Sequence, residues 1–294
     1  MDSNLQQRNL EHVLWCTGHQ LLISNIIRAE GCYLYDESGK KYMDLESGVW
    51  VTPLGHNHPA VNQAIKDQLD KVTHTGYCYS SEIVELSSRV VLDACGFKQG
   101  KCVFLLSGSE AVEFGLRVLR FLSGKNKLLC LHDSFLGSYG SANKKNPGEW
   151  HLLDWRECQT CEKAENCDLD CHVISEIPFH LLGGFVLEPG SASGLVRFPP
   201  GEFIKNLVKM IKSSGGRIHI NEITTGIGRS GKWFGSQHYD IQPDLISMGK
   251  GLGNGYPIST IALSAEWQGC WLKTRSTISS LTKTIPWGAG WQKK

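Results

Sequence analysis

One lysine stands in a setting that chemistry rather than solvation explains: Lys250, in Met248-Gly249-Lys250-Gly251-Leu252-Gly253-Asn254-Gly255-Tyr256-Pro257. Glycine on both sides leaves the amine open to a bound molecule. Desolvation there would lower its pKa and make it a Schiff-base nucleophile. A second motif, Ile220-Asn221-Glu222-Ile223-Thr224-Thr225-Gly226-Ile227-Gly228-Arg229-Ser230-Gly231, is a strand end followed by a glycine-rich loop, where open α/β sheets place ligands. Strand alternation turns Asn221 and Ile223 to one side and Glu222 to the other. A third, Ser107-Gly108-Ser109-Glu110, sits where a strand hands over to a helix, so its free amide N–H groups and the helix dipole would attract a phosphate, with Ser109 adding a hydroxyl donor. The same residues also make an ordinary helix cap. A fourth cluster, Cys158, Cys161, Cys167 and Cys171, puts four thiols into one short acidic stretch and suggests a structural metal site, zinc ahead of an iron–sulfur cluster, in an insertion at about 150–175.

The elements that must position these groups follow from periodicity. Gly31 to Asp44 alternates aromatic or apolar with polar residues around a Ser38-Gly39 turn and predicts a hairpin. Val61, Ile65 and Leu69 recur every four residues after Pro59 and predict a helix. Cys102–Leu106, Lys127–Leu131, Phe185–Leu187, Arg217–Ile220 and Leu245–Ser247 are short apolar or β-branched runs, with helical stretches such as Glu202–Ser213 between some of them. Alternating strands and helices predict an α/β fold with a mostly parallel sheet.

Composition agrees with a folded enzyme-sized chain. At 294 residues, 41% hydrophobic and 20% charged, the sequence is neither disordered nor fibrous. Thirty Lys and Arg against twenty-nine Asp and Glu leave a net charge of +1, no footprint for nucleic acid or an anionic membrane. The first thirty residues lack the apolar run of a signal peptide or membrane span, so a cytoplasmic location is expected. Eleven cysteines, an odd number, then read as reduced thiols or metal ligands rather than disulfides.

The three motifs in this order resemble the class-III pyridoxal-phosphate aminotransferases, a fold-type-I family. The resemblance starts with Leu34-Tyr35-Asp36 and Leu54-Gly55-His56-Asn57-His58-Pro59 and runs from about Gly31 to Glu266. It implies a pyridoxal 5′-phosphate enzyme, homodimeric when complete, moving an amino group between an amino acid or amine and a 2-oxo acid. Lys250 would form the Schiff base and shuttle the proton. Gly108 and Ser109 would hold the phosphate, Phe135 and Ile223 would sandwich the ring, Glu188 would stand near the cofactor, and Thr224 would reach its phenolic oxygen. The resemblance further implies an N-terminal part of a small domain over 1–60 and a large domain over 61–266.

Four departures stand out. The family has an Asp facing the pyridine nitrogen where this chain has Asn221, which hydrogen-bonds but forms no ion pair. Leu136 replaces a usual His, and Ser193 falls where ornithine-type and GABA-type members carry a Glu. The tail is the fourth. Trp267, Trp271, Trp287 and Trp291 crowd a stretch with no carboxylate after Glu266 and no convincing period. Read one base back, codons for Leu281–Gly288 give His-Gln-Asn-Asp-Pro-Leu-Gly, a family-like tract, so 267–294 is expected to be out-of-frame translation. The alternatives are an aminomutase or an impaired, truncated relative that only binds cofactor or metal.

Overall fold

A computed structural model describes residues 12–14, 22, 23, 25–76, 78–191, 193 and 196–265. The tail from Trp267 and the reading-frame expectation attached to it lie outside the described residues. The chain divides into two compact units, Met1–Cys78 with Asn254–Tyr256, and Tyr79–Gly253 with Pro257–Lys294.

In the first unit three antiparallel strands, β1 (Ile26–Glu30), β2 (Tyr33–Asp36) and β3 (Lys41–Met43), form a small sheet. The expected hairpin is β2–β3, with Tyr33 opposite Met43 and Asp36 accepting from the Ser38 and Lys40 N–H groups across the turn. Helix α1 (Pro59–Leu69) starts with proline at its first position, where no N–H is needed. Asn254 belongs here through bonds from Leu54 N–H at 2.9 Å and to Gly55 O at 3.0 Å.

The second unit carries a seven-stranded sheet of order β4-β10-β9-β8-β7-β5-β6. Its strands are β4 (Lys101–Leu105), β5 (Lys127–Leu131), β6 (Trp150–Leu153), β7 (Leu182–Leu187), β8 (Arg217–Asn221), β9 (Leu245–Met248) and β10 (Ser259–Leu263). Only β10 runs antiparallel to its neighbours, so the α/β, mostly parallel expectation holds. Helix α2 (Glu82–Cys95) precedes the sheet and ends on Gly96 in the left-handed conformation.

Both faces of the sheet are covered, as parallel sheets require. Leu128, Cys130 and Val186 pack with α3 (Gly108–Ser123) on one face; Leu129, Leu131, Phe185, Ile218 and Ile220 pack with α4 (Gly201–Ser213) on the other. On β8, His219 therefore points to the α3 face. Gly115 makes room for it, since a Cβ there would lie 2.4 Å from the imidazole Cε1.

The cysteine-rich segment is organised by its surroundings. Among the described residues no group of three or more His, Cys, Asp or Glu side chains could hold a metal ion. What organises 150–175 is burial: Trp150–Leu153 is an edge strand of the main sheet, and Trp155, Cys158 and Ile174 enter the core beside Phe179 and Phe203. Burial, and after it the neighbouring Cys171, Cys167 and Cys161 thiols, push the Cys158 thiol up to about 12. Cys158→Ser is expected to cost about 1–3 kcal/mol by burying a hydroxyl. Urea unfolding with and without zinc checks this, and a zinc-dependent midpoint in the parent chain would restore the metal reading.

Candidate active site

The ends of β4, β5, β8 and β9 lead into one cavity of about 190 Å³, lined by Ser107, Gly108, Ser109, Val112, Phe135, Leu136, Gly137, Asn221, Ile223, Thr224 and Lys250. Seven of the eight expected cofactor residues, all but Glu188, line it. They come from four separate strand ends, and the sheet alone brings them together.

At one end α3 begins. Ser107 caps it by accepting from Glu110 N–H, and Glu110 returns the bond to Ser107 N–H at 2.7 Å, a capping box. The cap and anion readings of this turn are thus compatible, because the box uses the Glu110 N–H and leaves those of Gly108 and Ser109 at the cavity wall. Gly108 is required by space: a Cβ would meet Ile223 at 2.9 Å. Ser138 N–H donates to Ser109 Oγ at 3.0 Å and fixes that hydroxyl, and Ser259 Oγ donates to Ser107 O at 2.7 Å.

Lys250 lies opposite in a turn after β9. Its backbone sits at φ +45°, a conformation that costs a non-glycine residue about 1 kcal/mol and that proteins keep chiefly at functional positions. Lys250 Nζ donates to Thr224 Oγ1 at 2.8 Å. Burial pulls its amine below the ordinary lysine value; the Glu188 carboxylate opposes that pull and Arg229 adds to it.

Phe135 is half exposed at the cavity, so its ring is not core packing. Its backbone is held by Glu188, whose carboxylate accepts from Phe135 N–H at 2.8 Å. Glu188, only 1% exposed, thus stands behind the wall rather than in it. Ile223 packs against the α3-side core. Leu136 is buried in that core, and Ser193 donates to Asp133 O at 2.7 Å.

The second motif holds one feature that spacing did not announce beyond its direction. Glu222 points away from the cavity, as alternation requires, and is fully buried. Its carboxylate accepts from Thr225 Oγ1 at 2.6 Å, Gly235 N–H at 2.9 Å and Ser236 N–H at 2.8 Å. It therefore ties down the loop that begins with Thr224, the partner of Lys250. Glu222→Gln turns an amide N–H toward one of these donors and is expected to cost on the order of 2–3 kcal/mol. Chemical denaturation measures it, and a loss below a few tenths would show the carboxylate unnecessary.

A glycine-cradled helix start, a strained, part-buried lysine and a half-exposed aromatic ring thus line one cavity of an α/β fold whose main sheet has one reversed strand. The chain belongs to the class-III aminotransferase family, which matches residues 16–142 and 159–276, running past the boundary expected at Glu266 and leaving out 143–158. Acetylornithine aminotransferase of Aquifex aeolicus is 32% identical over 247 residues, covering 82% of this chain and 65% of that protein. The Bacillus subtilis protein of the same name is 31% identical over 250 residues, covering 81% and 61%. The fold is shared with taurine:2-oxoglutarate aminotransferase from Bifidobacterium kashiwanohense, determined with PLP and glutamate, at TM-score 0.79 and 20% identity over 92% of this chain and 66% of that one. An S-selective transaminase from Arthrobacter sp. superposes with the same TM-score at 24% identity and the same coverage. The chain spans less than two thirds of the length of these relatives.

Proposed function

We propose that the cavity binds pyridoxal 5′-phosphate and that the chain carries the chemistry of amino transfer between an amino acid or amine and a 2-oxo acid. The observation that carries this reading is Lys250 Nζ and the Gly108–Ser109 helix start sharing one cavity with Asn221. The donor set fits the group: two backbone N–H groups and a serine hydroxyl suit a phosphate, an amine with lowered pKa suits an aldehyde, and the Gly108 cradle is space that a side chain would fill.

When bound, the cofactor supplies an aldehyde carbon and an electron-withdrawing ring. The chain's own residues do the rest. Gly108 and Ser109 hold the phosphate. Phe135, set by Glu188, and Ile223 would hold the ring between them. Thr224 orients the Lys250 amine, whose pKa burial lowers and which would attack a carbonyl and carry a proton. Reaction with pyridoxal phosphate, borohydride reduction and peptide mapping test the reading. A phosphopyridoxyl group on the Lys250 peptide is expected, and labelling spread over other lysines would overturn it.

A second copy of the chain is proposed to cover α2, whose Ile83, Val84, Leu86 and Val90 are 44–70% exposed. Val90→Glu should then lower the dimer fraction in sedimentation, and an unchanged profile would sink the idea. The small-molecule partners would be an amino donor and a 2-oxo acid. A cytoplasmic setting is supported by nine free cysteines among the described residues. No helix among the described residues is long and apolar enough to cross a membrane.

A further inference from the structure

The carboxamide of Asn221 is held in one orientation. Its Nδ2 donates to the Phe135 carbonyl at 3.1 Å, and its Oδ1 accepts from Ile223 N–H at 3.2 Å. Exchanging oxygen and nitrogen would set two acceptors against each other on one side and two donors on the other, so this assignment is fixed by the backbone. The side chain is 3% exposed and lines the cavity. A carboxamide nitrogen carries two hydrogens, and the Phe135 bond uses one.

The cofactor's own shape says what the other hydrogen meets. In pyridoxal phosphate the ring nitrogen lies para to the carbon that bears the aldehyde, and the phosphate arm is on the carbon adjacent to that one. With the aldehyde at Lys250 and the phosphate at Gly108–Ser109, the nitrogen end of the ring turns away from Lys250. The other polar side chains of the cavity are held away from the ring nitrogen: Thr224 at the Lys250 amine, Ser107 in the capping box and Ser109 at the helix start that takes the phosphate. The nearby carboxylates are committed too, Glu188 to Phe135 N–H and Glu222, on the opposite strand face, to its loop. Below Asn221 on the same face of β8, His219 is fully buried and bonded to Ser247 Oγ at 2.7 Å.

We propose that Asn221 holds the ring nitrogen of the cofactor unprotonated, as the acceptor of a hydrogen bond from Nδ2, so that this site works with a neutral pyridine rather than a pyridinium. The inference rests on the cofactor reading above and narrows it. A neutral ring still lets the Lys250 amine add to the aldehyde with loss of water, and lets a substrate amine displace it. It takes up less readily the electron pair left when the substrate Cα–H proton moves to a base. Asn221 is thus the residue that sets the balance between amine exchange, which stays fast, and Cα deprotonation, which becomes the slow step.

The test uses the full chain loaded with pyridoxal phosphate carrying ¹⁵N in the ring. The expected ¹⁵N resonance is that of a hydrogen-bonded neutral pyridine, without a one-bond N–H coupling, and Asn221→Asp should shift it to the pyridinium position. Deuterium exchange at Cα of an amino donor is expected to quicken about tenfold in the same variant. A pyridinium resonance in the parent chain overturns the proposal and leaves the cofactor reading standing. A label that washes out, with no absorbance band dependent on Lys250, overturns both. Should Asn221→Asp fail to fold, the parent spectrum alone decides.

Discussion

Replacing Lys250 by alanine is expected to remove the cofactor-dependent absorbance band and to lower any amino transfer by at least about 10³-fold, since both covalent attachment and proton carriage go with the amine. Folding should survive. The lost bond to Thr224 faces the cavity, so the freed hydroxyl can be solvated, and the variant no longer buries an amine whose pKa the site pulls down. A small primary amine added to the variant should restore part of the proton-transfer step, which separates lost chemistry from lost structure. A variant that keeps more than about a tenth of the parent rate would mean that another group does the work.

The position of Lys250 was legible because glycines on both sides have no surface rationale, and the strand before it is continuous and apolar. The same holds for α1, whose four-residue spacing and leading proline fix both type and start, and for β5, a five-residue apolar run found at Lys127–Leu131 as expected. Strands β6 and β10 were not legible from their patterns. Trp150–Leu153 lies beside a polar, cysteine-rich stretch, and the pairing that makes it a strand is a long-range one with β5. Ser259–Leu263 begins with two hydroxyl residues, and only its antiparallel place between β4 and β9 buries them, Ser259 against the Ser107 carbonyl and Thr260 against the Val103 carbonyl.

The cysteines show a different limit. Four thiols in a short segment state a ligand count but not how the segment is buried. Here Trp155 and Ile174 pull the segment into the core and carry Cys158 with them, so the thiol is spent as a small hydrophobe. Alternation along β8 correctly divided Asn221 and Ile223 from Glu222, since a period of two depends on nothing outside the strand. It could not show what Glu222 does, because Gly235 and Ser236 return to it only through the folded loop.

His219 makes the second large prediction, on stability against pH. It is fully buried on the α3 face, and burial drives its pKa from the ordinary 6.5 down to about 3. The unfolded chain therefore takes up a proton near pH 6.5 that the folded chain refuses until near pH 3. Stability is unaffected above pH 7 and falls as pH drops through that window, by up to about 1.4 kcal/mol per pH unit and on the order of 5 kcal/mol in all. His219→Leu alone would strand the Ser247 hydroxyl, which is also fully buried, so the informative comparison is the double variant H219L/S247A, in which both partners are replaced by apolar groups. Urea unfolding at pH 7.5 should give the parent and the double variant similar stabilities. At pH 4.5 the double variant should be the more stable by about 2–3 kcal/mol, because it has no histidine there to protonate on unfolding. Parallel acid profiles for the two proteins would mean that the imidazole takes up its proton in the folded state. The α3 face beneath Asn221 would then carry a positive charge, a result that bears on the ring nitrogen as directly as on stability.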